Sequence, residues 1–534
     1  MDDAVAGAPR RWALEALAGL IVGILLLAIA PGAADAKQGG KKGCQPGEPR
    51  GAAGVGDEYY PNYGNGGYDV RRYELDVSYD PATALITKGK ATIRARATQS
   101  VCRFNLDFVG LKVKKIKVDG DRAKFRRTEH ELKVTPKDSL ERGRRFETVV
   151  RYKGEPTEFE IPGFGIRTGF MDTPDGATVA GQPEVAAGWF PVNDHPRDKA
   201  RYEFDVTVPE GYEVVANGRL RDIDTGAHRS TWEWVAREPM ASYLATIDIG
   251  FWDVDRYRTA DGLPVYDAVD SAITGGLRDE IDSSLARQGE ILDLLSGYFG
   301  PYPFNTVGAI VDNQDDLFFA LETQTRPVYS KYFWLDSEGN PANGDDVVVH
   351  ELGHQWHGDY IAVHRWKDIW LNEGFATYAE WLWFEYEGQG TTQETFQATY
   401  DDIPADDEFW SVVIADPGVD LLFSDPIYVR GAMTLQVLRN EVGDDTFFEI
   451  VRAWTTTQGG GTGTTEEFIA LAEEIAGEDL NAEVWDPWLF TAGKPEFSEP
   501  AGAGAGAAAS AQTRAHAEDW LDEVSERLSE AGRY

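Results

Sequence analysis

The chain has 534 residues, of which 42% are hydrophobic and 12% aromatic, including 16 Trp. That is too much for one ordinary core and enough to fill two or three, so a disordered tether is excluded as the bulk of the protein. The formal charge of −39, from 90 acidic against 51 basic residues, is spread along the chain from about Glu155 onward; it reads as a solvated acidic surface and excludes nucleic acid as a partner.

In chain order, Arg10 and Arg11 precede an apolar run from Ala16 to Ala30, then Pro31 and Ala34-Asp35-Ala36. Basic, apolar and A-x-A elements in that order make residues 1–36 a secretory signal peptide, with cleavage after Ala36. The run is short for a membrane span of about 20 residues, so no stable membrane association is expected unless the signal stays uncleaved as an anchor. Either way the protein is placed outside the cytoplasm, as a secreted or extracytoplasmic chain. Residues 37–67, rich in Gly, Pro and Lys, read as a flexible linker. Cys44 and Cys102 are the two cysteines; an oxidising compartment would let them pair, and their spacing leaves that open.

From Tyr68 to Val254 short apolar runs alternate with polar residues, as in YDVRRYELDVSY, ATIRARAT and YEFDVTVP. Period two, with turns at Asp119-Gly120, Pro209-Glu210-Gly211 and Asn217-Gly218, predicts many antiparallel strands and an all-β domain over 68–254. From Asp255 the pattern turns helical. Ile281, Leu285, Ile291, Leu294 and Leu295 space a helix over Leu277 to Phe299, which GPYPF stops. Thr306 to Val311 reads as a short strand, and FFALETQTRPVY (318–329) as an edge strand.

Val347 to Glu380 carries the chemistry: VVVHELGHQWHGDYIAVHRWKDIWLNEGFATYAE. No proline interrupts Val347 to Tyr360, which reads as a helix with Asn343, Asp345 and Asp346 as candidate N-caps. On it His350 and His354, at i and i+4, stack on one face as two ligands for one zinc, with Glu351 between them. Four of the eight His fall within 15 residues, which argues against a chance match. His357 and His364 sit at the wrong spacing to share the metal, and the longer metzincin signature fails because its Gly and His positions hold His357 and Tyr360. A hydrolytic zinc commonly takes three protein ligands, and Glu373 can return as the third from a second helix over Trp366 to Glu387.

HELGH, eighteen residues, then LNEGFATYAE resembles the gluzincin aminopeptidases, the family of aminopeptidase N and the leukotriene-hydrolysing aminopeptidase. The resemblance covers residues 58 to 495. It implies an N-terminal antiparallel β-sandwich or saddle domain, followed over 255–495 by a thermolysin-like, mainly helical catalytic domain. It also implies one Zn2+ per chain on His350, His354 and Glu373, with Glu351 as general base. Gly181 to Pro209 is similar to the family segment whose Gln and Glu, here Gln182 and Glu184, reach the cleft and help hold the substrate's α-amino group. Phe319-Ala320-Leu321-Glu322-Thr323 takes the place of G-x-M-E-N, so Glu322 corresponds to the amine-binding glutamate. Phe319 and Thr323 depart from the pattern and bear on the shape of the first side-chain pocket. Tyr428-Val429-Arg430-Gly431-Ala432 resembles Y-x-K-G-A, with Arg for Lys, and carries over Tyr428 as the phenol that donates to the tetrahedral intermediate. Glu380, seven residues after Glu373, is either an acceptor for a ligand imidazole or a surface carboxylate.

Asp425-Pro426 reads as the N-cap and first residue of a helix through Glu441, and Thr464 to Glu474 as another. After them come a low-complexity segment, AGAGAGAAAS, and one amphipathic helix from His516 to Leu528, together residues 496–534. The expected function is that of a zinc-dependent aminopeptidase acting on peptide substrates with a free N-terminus. An endopeptidase or epoxide hydrolase on the same scaffold, and a catalytically silent binding protein, are the alternatives.

Overall fold

Tyr73, Leu75 and Val77 alternate with Glu74 and Asp76 along the strand Tyr68–Asp80, and the alternation buries one side of it. The structure, a computed structural model, describes residues 44, 47–161, 163–497, 513–517, 519–521 and 524. The signal peptide expected over 1–36 lies outside them.

Strand Tyr68–Asp80 is central to an eight-stranded sheet. It runs antiparallel to Leu85–Ala97 and, unlike the expected all-antiparallel arrangement, parallel to Ala200–Pro209 in the register Leu75↔Phe204. A five-stranded sheet containing Arg167–Thr173 and Gly176–Ala180 meets the first where Tyr79 packs on Phe170, ring centroids 5.2 Å apart. The expected sandwich is therefore present. Near the expected boundary at Val254, Trp252–Arg258 pairs with Pro264–Asp270, which lies parallel to Val307–Asp312 in a four-stranded sheet of the second half.

The segment read as a flexible linker is built into the fold from residue 47 onward. Asp57 is buried, and its carboxylate accepts the backbone N–H groups of Tyr59, Tyr60 and Trp366 and hydrogen-bonds the His195 ring, all at 2.9–3.1 Å. Composition hid this, because one carboxylate with four partners outweighs the flexibility that Gly and Pro imply. Cys44 and Cys102 form a disulfide, with Cα atoms 5.1 Å apart.

The second half is helical: α1 (Gly276–Leu285), α2 (Gln288–Phe299), α3 (Asp345–Gly353), α4 (Trp370–Tyr386), α5 (Thr392–Asp402), α6 (Asp425–Val442), α7 (Asp444–Gln458) and α8 (Thr465–Ala476). The single helix expected over Leu277 to Phe299 breaks between α1 and α2, where the Gln288 side chain donates to the Leu285 carbonyl and ends the first piece. Ser424, rather than Asp425, is the N-cap of α6. The edge strand expected over 318–329 shrinks to Val328–Ser330 plus a bridge from Leu321 to Val328. Pro327 has no N–H to offer a ladder, and Thr325 sits at φ 69° in the left-handed region, so the stretch loops. Near the C-terminus residues 513–517, 519–521 and 524 are helical and pack on α4 and α5, through Trp520 against Trp381 and Ala517 against Ala398. No helix among the described residues is long and apolar enough to cross a membrane.

Candidate active site

Helix α3 is shorter than its sequence suggests, yet it delivers both histidines. It starts where the Asn343 side chain accepts the Asp345 N–H at 2.9 Å, and it ends at Gly353. His354 keeps right-handed helical angles as the cap residue, and its N–H still reaches the His350 carbonyl, so the one-turn stacking survives. Gly358, at φ +138°, then turns the chain sharply, and the His357 carbonyl folds back to accept His354 Nδ1–H at 2.9 Å. Lys199 of the β domain holds the turn by donating to the carbonyls of Asp359 and Tyr360.

Helices α4 and α6 bring in the other groups, because they cross almost backbone to backbone. A Cβ on Gly374 would lie 2.9 Å from the Gly431 backbone. That contact sets Glu373 on α4 and Tyr428 on α6 in one cleft. Arg430, which stands where the family pattern has Lys, points away from the cleft. Its guanidinium donates to the carbonyls of Trp410, Val412, Pro487, Trp488 and Thr491, tying α6 to the segment after α8.

The three expected ligands converge. His350 Nε2 and His354 Nε2 lie 3.1 Å apart, and Glu373 Oε2 is 3.5 Å from the first and 3.2 Å from the second. Four-coordinate zinc with bonds of about 2.1 Å sets neighbouring ligand atoms about 3.4 Å apart, so the donor set fits. The tautomers fit as well. Glu380 Oε1 accepts His350 Nδ1–H at 2.6 Å and the His357 carbonyl takes that of His354, which leaves both Nε2 lone pairs facing the Glu373 carboxylate. Three electron-rich atoms at this separation call for a cation between them. The site favours positive charge: burial depresses the His354 imidazole, but Glu373 and Glu322 overcome it and lift the pKa to about 9, a charge that a bound cation would supply in place of the proton. Burial raises Glu373, and the two histidines outweigh that and bring it to about 2.

Glu351 shares a cluster with His354 and Glu322 whose ligand-type atoms lie within 4.8 Å of one another. Burial pushes its carboxyl up to about 8 against the pull of His350 and His354, and its Oε2 is buried without a hydrogen-bond partner. Tyr428 stacks over His350 with ring centroids 5.9 Å apart, and burial first, then Glu373, holds its phenol well above 10, so it is an O–H donor. Glu322 is buried, raised by that burial, and gripped by the Tyr243 hydroxyl, which donates at 2.8 Å.

These groups line a cleft of about 1000 Å³, including its open mouth, with Gln182, Phe318 and Phe319. Phe319, the departure from the family's glycine, thus shapes the wall. Among the described lining residues there is no Lys or Arg. Glu184 does not join them: it is half-buried against Tyr63 and Asp194, and burial raises its carboxyl. Of the two open readings of Glu380, the structure selects the acceptor of a ligand imidazole. Tyr243, Gly374 and Gly431 were not singled out in the sequence; of these only the glycines left a signal, as small residues beside Glu373 and Tyr428.

Residues 70–244 match the model of the peptidase M1 N-terminal domain, and residues 284–488 that of the peptidase family M1 domain. "Probable aminopeptidase 2" of Sulfurisphaera tokodaii is 24% identical over 442 residues, covering 80% of this chain and 54% of its own. "Aminopeptidase N" of Streptomyces lividans is 26% identical over 341 residues, 58% of this chain and 38% of its own. The chain thus spans about half the length, or less, of the curated relatives it matches. Among solved structures, the M1 zinc metallopeptidase from Deinococcus radiodurans superposes with a TM-score of 0.74 at 26% identity, over 85% of this chain and all of that one. A point mutant of it bound to a Tyr-Ser-Ala substrate superposes with a TM-score of 0.73 at 26% identity, over 84% of this chain and 99% of its own.

Proposed function

The chain belongs to peptidase family M1, and from that membership and the geometry of the cleft we propose that it is a zinc-dependent aminopeptidase, releasing N-terminal residues from peptides. The observation that carries this reading is Glu322. Its buried carboxylate, fixed by Tyr243, lies beside Glu351 and His354 in a cleft whose described lining offers no Lys or Arg to neutralise it. A peptide's free ammonium group is the partner such a carboxylate lacks, and a charge-assisted bond to it sets the register of the chain.

His350, His354 and Glu373 would hold the metal. A zinc ion there supplies Lewis acidity, polarising a carbonyl oxygen and making water about as acidic as pH 7. Glu351, its Oε2 uncommitted, takes a proton from the attacking water and passes it to the departing nitrogen. Tyr428 donates its O–H to the carbonyl oxygen as negative charge grows there. Gln182 lines the same cleft with both amide functions suited to the substrate backbone. We also place the enzyme outside the cytoplasm, a reading supported by the signal-like residues 1–36 and by a disulfide that suits an oxidising compartment.

The test is a panel of aminoacyl fluorogenic substrates with and without chelator, together with one peptide in free and N-acetylated form. Chelator-sensitive cleavage of the free peptide alone is expected. Equal cleavage of the acetylated form would make the enzyme an endopeptidase.

A further inference from the structure

The C-terminal helix reaches the metal centre. Glu380 is buried on α4, and each of its oxygens has one donor: Oε1 takes His350 Nδ1–H at 2.6 Å, and Oε2 takes the indole Nε1–H of Trp520 at 2.6 Å. The contacts therefore run in a row from Glu322 and His354 through His350 and Glu380 to Trp520, with the amine-binding carboxylate at one end and the indole at the other.

Trp520 is held in place independently of this bond. It is 2% exposed, with its ring 5.9 Å from that of Trp381 and 6.2 Å from that of Phe384, while His516 one turn earlier meets the Phe384 ring edge-on at 4.5 Å. Leu521 is buried in the same core, and Val524, four residues on and so on the same face as Trp520, lines the cleft together with Glu380. Indole suits the position: it is a large apolar body with one N–H that donates and never accepts. Without that donor Glu380 Oε2 would be a buried charge-bearing oxygen with no partner in the described structure, and its carboxylate could rotate about the remaining bond to His350. A ligand imidazole oriented by a carboxylate binds its metal according to how firmly the carboxylate itself is fixed.

We propose that Trp520 is a positioning residue of the reaction: acting through Glu380, it fixes the ring plane of His350 and so strengthens metal retention. This rests on the reading of His350, His354 and Glu373 as a zinc site.

Trp520→Phe in the full-length chain keeps the packing ring and deletes the donor. The variant is expected to lose zinc to a competing chelator about 10-fold faster than the wild type, and to show a lower kcat at nearly unchanged KM. The zinc-free variant should melt like the zinc-free wild type. In a Glu380→Gln background the same change should add nothing further. Zinc loss at the wild-type rate, or an equal effect in the Glu380→Gln background, would overturn the proposal. If the variant does not fold, the wild type decides: the indole N–H assigned to Trp520 should exchange faster once zinc is removed, and an unchanged rate at that indole would overturn it. A wild type that binds no zinc would overturn the zinc reading and this inference together, whereas normal zinc binding with an unaltered Trp520→Phe would overturn this inference alone.

Discussion

Gly374 and Gly431 touch across the crossing of α4 and α6, where a methyl group on either would lie 2.8–2.9 Å from the other's backbone. Each glycine neighbours a working residue or its turn, so this contact sets the distance between the Glu373 carboxylate and the Tyr428 phenol. Gly374→Ala is expected to cost about 1–3 kcal/mol of stability, as overpacking does, and to lower activity more than in proportion to the folded fraction. Gly297→Ala, on the exposed face of α2 with open space around it, should instead be neutral or stabilise by up to about 1 kcal/mol. Denaturant titrations of the two variants check the contrast.

Glu351→Gln should keep its metal and lose turnover. Its Oε2 is buried without a hydrogen-bond partner beside His354 and Glu322, and it stands ready for proton transfer. A fall of about 10²–10⁴ in kcat is expected for loss of a proton carrier, with zinc content by elemental analysis unchanged. Chelation of the wild type should abolish activity and zinc restore it.

Tyr428→Phe removes the donor to the developing oxyanion while leaving the ring stacked on His350. A loss of about 2.7–4 kcal/mol in transition-state stabilisation, seen in kcat rather than KM, is the expected size for such a donor. Steady-state kinetics at several substrate concentrations separates the two constants.

Glu322→Ala should weaken selection of the free amine. A hydrogen bond to a charged group contributes about 1.5–3 kcal/mol, so kcat/KM on free-amine substrates should drop about 10- to 150-fold. The preference over acetylated peptides should shrink by the same factor, measured by competition between the two forms.

The pH dependence of stability should carry a signature from Asp267, which lies in the four-stranded sheet and does not line the cleft. Burial lifts its carboxyl to about 7, with Gln288, Tyr257 and Arg326 opposing the lift and Asp255 adding to it. The folded protein therefore keeps a proton that the unfolded chain releases near its ordinary value of about 4. Stability from this group is full below pH 4 and is lost as pH rises through about 7. Asp267→Asn, which cannot ionise, should be more stable relative to the wild type at pH 8 than at pH 5, as read by thermal unfolding at both values.

The parts of the site that were legible in the sequence are those set by local geometry. His350 and His354 are one helical turn apart, and that relation survives although α3 ends before His354. Glu373 was legible as a spacing and Glu322 and Tyr428 as a family pattern. Glu184 was carried over with them, but the fold turns it toward Tyr63 and Asp194, which no local pattern records. Tyr243 and Trp520 were invisible for the same reason: their partners Glu322 and Glu380 lie 79 and 140 residues away. In the fold, period two marked the β domain, whereas the Gly- and Pro-rich composition before it concealed the bonds of Asp57.

Those bonds bear on how a peptide gets in. Asp57 grips His195 from the β domain and the backbone of Trp366 just ahead of α4, so the leading segment works as a clasp across the seam between the two halves. Swinging the halves apart would strip this buried carboxylate of the His195 ring or of the Trp366 N–H. A ligand that enters without parting the halves has to pass the mouth of the cleft, along walls that include Phe318, Phe319 and Gln182.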